Sequence, residues 1–366
     1  ARLGDNRHHL LFLHHYCVTL MINRQFAAAS VLQEEISAMA ERLGDPTSVG
    51  YALVGEIAVS CYTASLSSDE FEARCQRVTA TLAEIDDAYL HNYFWAFRLF
   101  DKVCRGRVAE AYETAERMMV WGRSNNDPRS LGYGTAMKAL TAMCTDDYEM
   151  AFLMAEQALN VSRVEFERAI ARLSLQSAMV PLQKPGAAEE LKRFVEMCGE
   201  LGWLEMASGP TTMMGVAMAM GGRIDEAVRH IEFLIKDSDA RGAVYAANWQ
   251  RLYLCEIYLG ILSGEGGASL GVILRNIGAL AKVMILGPKR IQEMTDHIRA
   301  QGCFDPEGHY IARIEMILGL LHKTKKNKPL AIRHLTEALR IIEPSGPSAM
   351  QTRITAALAD LTAGKR

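Results

Sequence analysis

The sequence predicts an all-α fold, an α-solenoid of irregular helical hairpins stacked along its 366 residues. Three observations predict it. Long segments with helical spacing alternate with short turn signals, and neither sustained period-two alternation nor an Asn-Gly or Asp-Gly hairpin turn interrupts them. A short motif recurs: Gly106-Arg107-Val108-Ala109-Glu110-Ala111 returns as Gly222-Arg223-Ile224-Asp225-Glu226-Ala227, with looser copies at 23–29, 147–151 and 327–331. The alanines at 111 and 151 lie 40 positions apart, and 151 to 227 spans 76, close to two units with an intermediate copy near Ala187-Ala188. A period of roughly 40 residues made of two helices is the mark of an α-solenoid. One such hairpin cannot bury its apolar stripe alone, so stability comes from stacking on its neighbours.

In chain order, hairpins are predicted at 7–43, 46–86, 88–124, 128–162, 165–201, 203–241, 244–286 and 307–343. A solitary helix at 288–300 fills the long gap between Ala227 and Ala331, and a closing helix occupies 347–362, so that 1–366 forms one solenoid. Starts are marked by Asp45-Pro46, Asp127-Pro128 and Asp305-Pro306. In each, the Asp can cap free N–H groups, and the Pro fits the first helical position, where its missing N–H costs nothing. Ends are marked by Gly44, Gly122, Gly202, Gly242 and Gly302, the residue type that tolerates a left-handed exit. The opening Ala1-Arg2-Leu3-Gly4-Asp5-Asn6 matches Glu41-Arg42-Leu43-Gly44-Asp45-Pro46 almost residue for residue, through the shared Arg-Leu-Gly-Asp. The sequence is therefore expected to begin at the tail of one repeat, as a piece of a longer protein.

Composition excludes some functions. Lys plus Arg number 40 against 43 for Asp plus Glu, a net charge of -3, which argues against a generic nucleic-acid coat. Hydrophobic residues make up 49%, ample for a core. The longest charge-free stretch, Met206 to Gly222, is broken by Gly209-Pro210 and is shorter than the roughly 20 apolar residues that cross a bilayer. The eight cysteines include no C-x-x-C, and most sit in apolar helical runs such as Leu140 to Cys144. They read as small buried hydrophobes in a reducing cytoplasm, the expected location.

The spacing of small residues resembles the tetratricopeptide family, in which a small residue of the first helix lies 12 before the key alanine of the second. Gly319 precedes Ala331 by 12, Gly215 precedes Ala227, and Ala139 precedes Ala151; Leu318-Gly319 also matches the family's Leu-Gly pair. Leu99 before Ala111 is not small, and the family's Trp and most of its terminal prolines are missing. The resemblance implies tetratricopeptide-like hairpins forming a right-handed superhelix, with the first helix of each pair on the concave face. In that register the positions 18 and 15 before each key alanine face the groove: Leu11 and His14, Tyr93 and Ala96, Tyr133 and Ala136, Gly209 and Thr212, Arg313 and Met316. His14, Tyr93, Tyr133, Thr212 and Arg313 are the candidate partner-binding residues. The competing expectation for Tyr93 and Tyr133 is packing between repeats.

No catalytic constellation is recognisable. The only Gly-Lys is Gly364-Lys365, so there is no P-loop, and no H-E-x-x-H or G-x-S-x-G exists. The glycine-rich run 264–267 has no strand before it and reads as a connecting loop. Among His8, His9, His14 and His15, only His14 with Cys17 has usable i, i+3 spacing, and two ligands do not close a metal site. Asp86-Asp87 and Asp146-Asp147 read as caps, the Lys323–Lys328 cluster as a solvated turn, and the methionines at 213, 214, 218 and 220 as core filler that also suits an adaptable binding surface. No catalytic residue, metal or cofactor is expected.

Residues 200–360 carry a further resemblance. The blocks Gly215 to Ala219 with Gly222-Arg223-Ile224, Trp249 to Tyr258, Leu274-Arg275-Asn276, Phe304 to His309, and Ala312 to Leu321 running into His334 to Ala338 resemble the C-terminal repeat region of bacterial multidomain adenylate/guanylate cyclases. In that family a class III catalytic domain precedes an AAA- or STAND-type ATPase module and then the repeats. The resemblance implies a non-catalytic regulatory region for signal transduction. Its partners would be a protein or peptide, or the parent's own ATPase and cyclase modules, with no direct contact to nucleic acid or membrane and with room for an oligomer. The alternative parent is an ATPase-linked STAND-type transcription regulator, whose repeats sense a small molecule or a protein.

Overall fold

The computed structural model describes residues 5–264 and 276–363. The residues after Gly264 in the glycine-rich run, Leu274-Arg275, Ala1–Gly4 and Gly364-Lys365 lie outside them. Among the described residues there are seventeen α-helices, arranged as antiparallel pairs. The pairs are α1 (Arg7–Ile22) with α2 (Phe26–Leu43), α3 (Pro46–Thr63) with α4 (Ser68–Leu82), and α5 (Ala88–Arg105) with α6 (Val108–Ser124). They continue as α7 (Pro128–Cys144) with α8 (Tyr148–Val161), α9 (Glu165–Met179) with α10 (Ala187–Leu201), and α11 (Ser208–Met220) with α12 (Ile224–Arg241). The last are α13 (Val244–Ser263) with α14 (Ile277–Gln301) and α15 (His309–Thr324) with α16 (Lys328–Ile342), closed by α17 (Ala349–Ala363).

Helix boundaries follow local chemistry. Asp45 and Asp127 cap α3 and α7 by accepting from Ser48 N at 3.0 Å and Ser130 N at 3.2 Å, each with Pro at the first helical position. Gly44, Gly202, Gly242 and Gly302 leave their helices in the left-handed conformation. Two predicted boundaries need correction. Gly122 is no exit: it lies inside α6, whose chain turns left-handed only at Asn126. Asp305-Pro306 does not start a helix. Asp305 instead turns the chain by accepting from Glu307 N at 2.9 Å, and α15 begins at His309.

The helix predicted to stand alone at 288–300 is the second half of α14, which runs for 25 residues through Pro288. Proline usually breaks a helix by clashing with the residue before it and by orphaning the carbonyl four back. Here the preceding residue is Gly287, which has no Cβ, and the orphaned carbonyl belongs to the exposed Met284, where water can reach it. The extra length of this repeat thus lies partly in its long helices, of 20 and 25 residues.

Small residues let paired helices touch. A Cβ on Gly319 would sit 2.6 Å from Leu335 Cγ, and one on Gly215 would sit 2.7 Å from Ile231 Cγ1. The partner in each case lies four residues after the key alanine, one turn along the second helix. Ala111, Ala151, Ala227 and Ala331 are all fully buried. Replacing Gly319 by Val is expected to cost about 2 kcal/mol through overpacking, read as a lower urea midpoint at unchanged slope; an unaltered midpoint would refute the close approach.

Inner and outer helices differ in kind. The outer α16 buries one side only, Ala331, Leu335, Ala338, Ile341 and Ile342. The inner α15 buries eleven of its sixteen residues, including His309 and Arg313. A helix buried all round must be covered on more than one side, and the inner helices are covered because the superhelix closes upon itself. Glu205 N donates to Ile22 O at 2.9 Å, Asp305 N to Arg105 O at 3.0 Å, and His309 N to Gly106 O at 2.8 Å. The first hairpin therefore meets the sixth, and the third meets the eighth. Among the described residues no helix is long and apolar enough to cross a membrane.

Candidate functional site

Closure turns the expected groove into a partly enclosed chamber of about 170 Å³. Among the described residues its wall comes from the first helix of every pair, α1 through α15 by odd numbers, together with the loop at Glu205-Met206, and no second helix contributes. Rings and methionines make up much of the wall, among them Tyr62, Phe100, Tyr253 and Tyr310 with Met137, Met143, Met206 and Met213. Methionine fills irregular gaps and adapts to its neighbour, so the volume is not rigidly fixed.

Of the five residues singled out from the sequence, Tyr133, Thr212 and Arg313 line this chamber. The Thr212 hydroxyl donates to Ser208 O at 2.9 Å within its own helix. His14 and Tyr93 are placed elsewhere. They form an aromatic cluster with Tyr51 and Tyr89, the His14 ring meeting Tyr51 at 4.9 Å and Tyr93 at 5.6 Å. Burial holds the His14 imidazole down to about 3, so it is neutral at pH 7. Tyr93 touches Phe97, itself a wall residue, and so sits one layer behind the chamber.

Among the described residues, two charged side chains reach the wall, and both are paired. Arg313 grips Glu256 with two hydrogen bonds, 3.1 Å from Nε and 2.5 Å from Nη2, approaches Asp146 to 3.6 Å, and stacks over the Tyr253 ring at 4.9 Å. Burial disfavours its charge, but Asp146 and Glu256 outweigh burial and hold its pKa above the ordinary arginine value. Asp146, read from the sequence as a cap, is thus a link across the superhelix; its neighbour Asp147 does cap, accepting from Met150 N at 3.2 Å. Glu205 lies against Arg24 Nε at 3.1 Å, while Arg24 also donates to Asp237 at 2.9 Å and to Ser238 Oγ at 2.8 Å.

This second cluster ties the α1–α2 turn to the α10–α11 loop and α12. Burial pushes the Glu205 carboxyl up to about 7, against the pull of Arg24. A carboxyl whose folded value lies above its unfolded one favours the native state when protonated. Its contribution is complete below about pH 4.5 and is lost as pH rises through 7, up to roughly 3 kcal/mol. Glu205→Gln is therefore expected to remove that part of the pH dependence, measured as the difference in urea stability from wild type at pH 5 and pH 8. Parallel pH profiles for the two proteins would contradict it.

Several wall residues carried no sequence signal of their own. Glu205 sits in an ordinary loop, and Ser177, Trp249 and Gln250 lie on helices whose register places them inward only once the superhelix closes. Among the described residues, no group of three or more His, Cys, Asp or Glu could hold a metal ion, and all eight cysteines are free.

The architecture and chamber define an all-helical, tetratricopeptide-like repeat protein. Among solved structures, the chain is similar to a Rap protein complexed with competence and sporulation factor, with a TM-score of 0.54 over 98% of both chains at 11% identity. That likeness shows the fold and carries no cyclase or ATPase context. A circular tandem repeat protein with novel repeat topology aligns over 96% of this chain and 95% of its own at 13% identity, but its TM-score of 0.26 supports no argument. No protein-family model and no curated protein matches the sequence.

Proposed function

We propose that this chain is an effector-binding repeat region of a signalling protein, and that its central chamber receives the apolar part of a peptide or small ligand. The observation that carries this reading is the chamber itself: partly enclosed, lined by rings and methionines, and walled by the first helix of every pair. Ligand sites are concave and mostly apolar, with a few placed polar groups, and this interior has that character. Because eight pairs share the wall, a ligand there favours the closed superhelix over any opened form, which is the differential binding a switch requires. The fold likeness to a Rap protein complexed with competence and sporulation factor agrees with such a role. The finer assignment, to the regulatory repeats of a nucleotide cyclase, rests on the sequence blocks in residues 200–360 alone.

The test uses a ring-sized probe, because a cavity of about 150 Å³ accepts benzene. Fluorine NMR of 4-fluorotoluene is expected to show line broadening with the wild-type protein, and Met213→Trp, which fills the chamber, is expected to abolish it. Binding that persists undiminished in a folded Met213→Trp protein would place the probe elsewhere and overturn the reading.

A further inference from the structure

The Glu205 carboxylate at the chamber wall accepts no hydrogen bond among the described residues. Its Oε2 lies 3.1 Å from Arg24 Nε, but neither of these two atoms has a hydrogen-bond partner, so the contact is an ion pair only. Arg24 directs its hydrogen bonds to α12, at Asp237 and Ser238. Its one charge is thus divided between two carboxylates. Oε2 is sealed against Arg24, while 18% of the Glu205 side chain stays accessible. The edge of the carboxylate open to the chamber is therefore Oε1. A carboxylate offers about four acceptor sites, and here the protein fills none of them.

Tyr62 places this edge among rings. Its phenol is pushed well up by burial, then by the Glu205 charge and by the Tyr133 phenol, so the three groups lie in one another's field. The Tyr62 ring meets Phe100 at 5.4 Å and Phe97 at 6.3 Å, both of them wall residues. The Tyr62 and Tyr133 hydroxyls make no hydrogen bond among the described residues and, unlike those of Tyr93 and Tyr245, are not sealed off. Ring faces attract cations, and a carboxylate beside them adds a counter-charge. An anion finds no such partner, because Arg313 is held by Glu256 and Asp146 with 3% of its side chain exposed. With no cluster of metal ligands among the described residues, the fitting cation is organic.

We infer that the chamber takes a primary ammonium joined to a ring-sized apolar group, with the ammonium donating to Glu205 Oε1 beside Tyr62 and Tyr133. The inference rests on the reading of the chamber as a ligand site and narrows it to one chemical class. Such a group occurs in a small arylalkylamine and at the free N-terminus of a peptide that begins with an aromatic residue.

The test compares probes of one shape by fluorine NMR at pH 7.5. 4-Fluorophenethylamine is titrated beside 1-fluoro-4-propylbenzene, in which a methyl replaces the ammonium. 4-Fluorophenylalanine methylamide and its N-acetyl derivative form the peptide arm. The charged member of at least one pair is expected to bind at least tenfold more tightly than its neutral counterpart, and the pair that shows the preference identifies the source. Glu205→Gln is expected to remove the preference, and Met213→Trp to abolish binding of the amine.

A second readout needs no substitution. Facing Glu205 are Arg24 from the α1–α2 turn, Asp237 of α12 beyond it, and the phenols of Tyr62 and Tyr133 on α3 and α7. The arginine stays charged, and burial keeps both phenols neutral. Glu205, at about 7, must lose its proton to hold the ammonium. Affinity for 4-fluorophenethylamine is therefore expected to fall as pH drops from 8 to 5.5, approaching tenfold per unit below 7, while that of the hydrocarbon stays level. Equal affinity within both pairs would overturn the inference and leave the chamber reading intact. So would a preference that survives Glu205→Gln, an amine affinity that does not change with pH, or amine binding undiminished in a folded Met213→Trp protein. Failure of every probe to bind, the hydrocarbon included, would remove both.

Discussion

Replacing Arg313 by Met is expected to destabilise the protein by about 3 kcal/mol. The guanidinium is nearly inaccessible, with 3% of its side chain exposed, and it is shared by carboxylates from two other helical pairs, Asp146 and Glu256. Removing one partner of a buried ion pair leaves charge without compensation, at a typical cost of about 3–5 kcal/mol. The lower end applies here because the two carboxylates keep 19% and 20% of their side-chain exposure, so water can partly replace the arginine. Adding Asp146→Asn to Arg313→Met should restore part of the loss, since one of the two orphaned charges is then gone. Urea unfolding of the two single variants and the double variant measures this. Purely additive losses, or a loss under 1 kcal/mol for Arg313→Met, would show that the pair does not hold the superhelix together.

The second large effect is at Gly122. A Cβ there would lie 2.7 Å from Leu131 N, 3.0 Å from Asp127 O and 3.2 Å from Leu131 Cα. All three are backbone atoms at the start of α7, so no side chain can rotate away. Gly122→Val must separate α6 from α7 and is expected to cost at least about 3 kcal/mol, at the upper end for overpacking. The usual gain on replacing a helical glycine, about 1 kcal/mol, is too small to change the sign. Gly199 in α10 provides the contrast: a Cβ there meets nothing within 4 Å. Gly199→Ala should therefore be neutral or stabilising by up to about 1 kcal/mol. Similar thermal midpoints for Gly122→Val and wild type would refute the close approach of α6 to α7.

Gly122 also shows what a sequence reading misses. As a glycine near the end of a helical segment, it resembles Gly44 or Gly202, which do exit left-handed. Nothing local distinguishes a glycine needed for its backbone angle from one needed for its missing side chain. Pro288 misled for a similar reason, since its helix survives through Gly287 before it and solvent beside it. The candidate site divides likewise. Counting back from a key alanine gave Tyr133, Thr212 and Arg313, which line the chamber. The same count gave His14 and Tyr93, which lie behind the wall.

By itself, the sequence determined the all-helical class, the place of most helices and the small residues at which paired helices meet. These depend on residues within about 40 positions of one another: caps, turn residues, and glycine or alanine where two rods meet. Only the tertiary structure decided that the array closes, that Arg24 meets Glu205 and Asp237, that Asp146 meets Arg313, and that Gln250, Trp249 and Ser177 share a wall. Small rotations between successive hairpins accumulate over the array, and no local pattern encodes their sum.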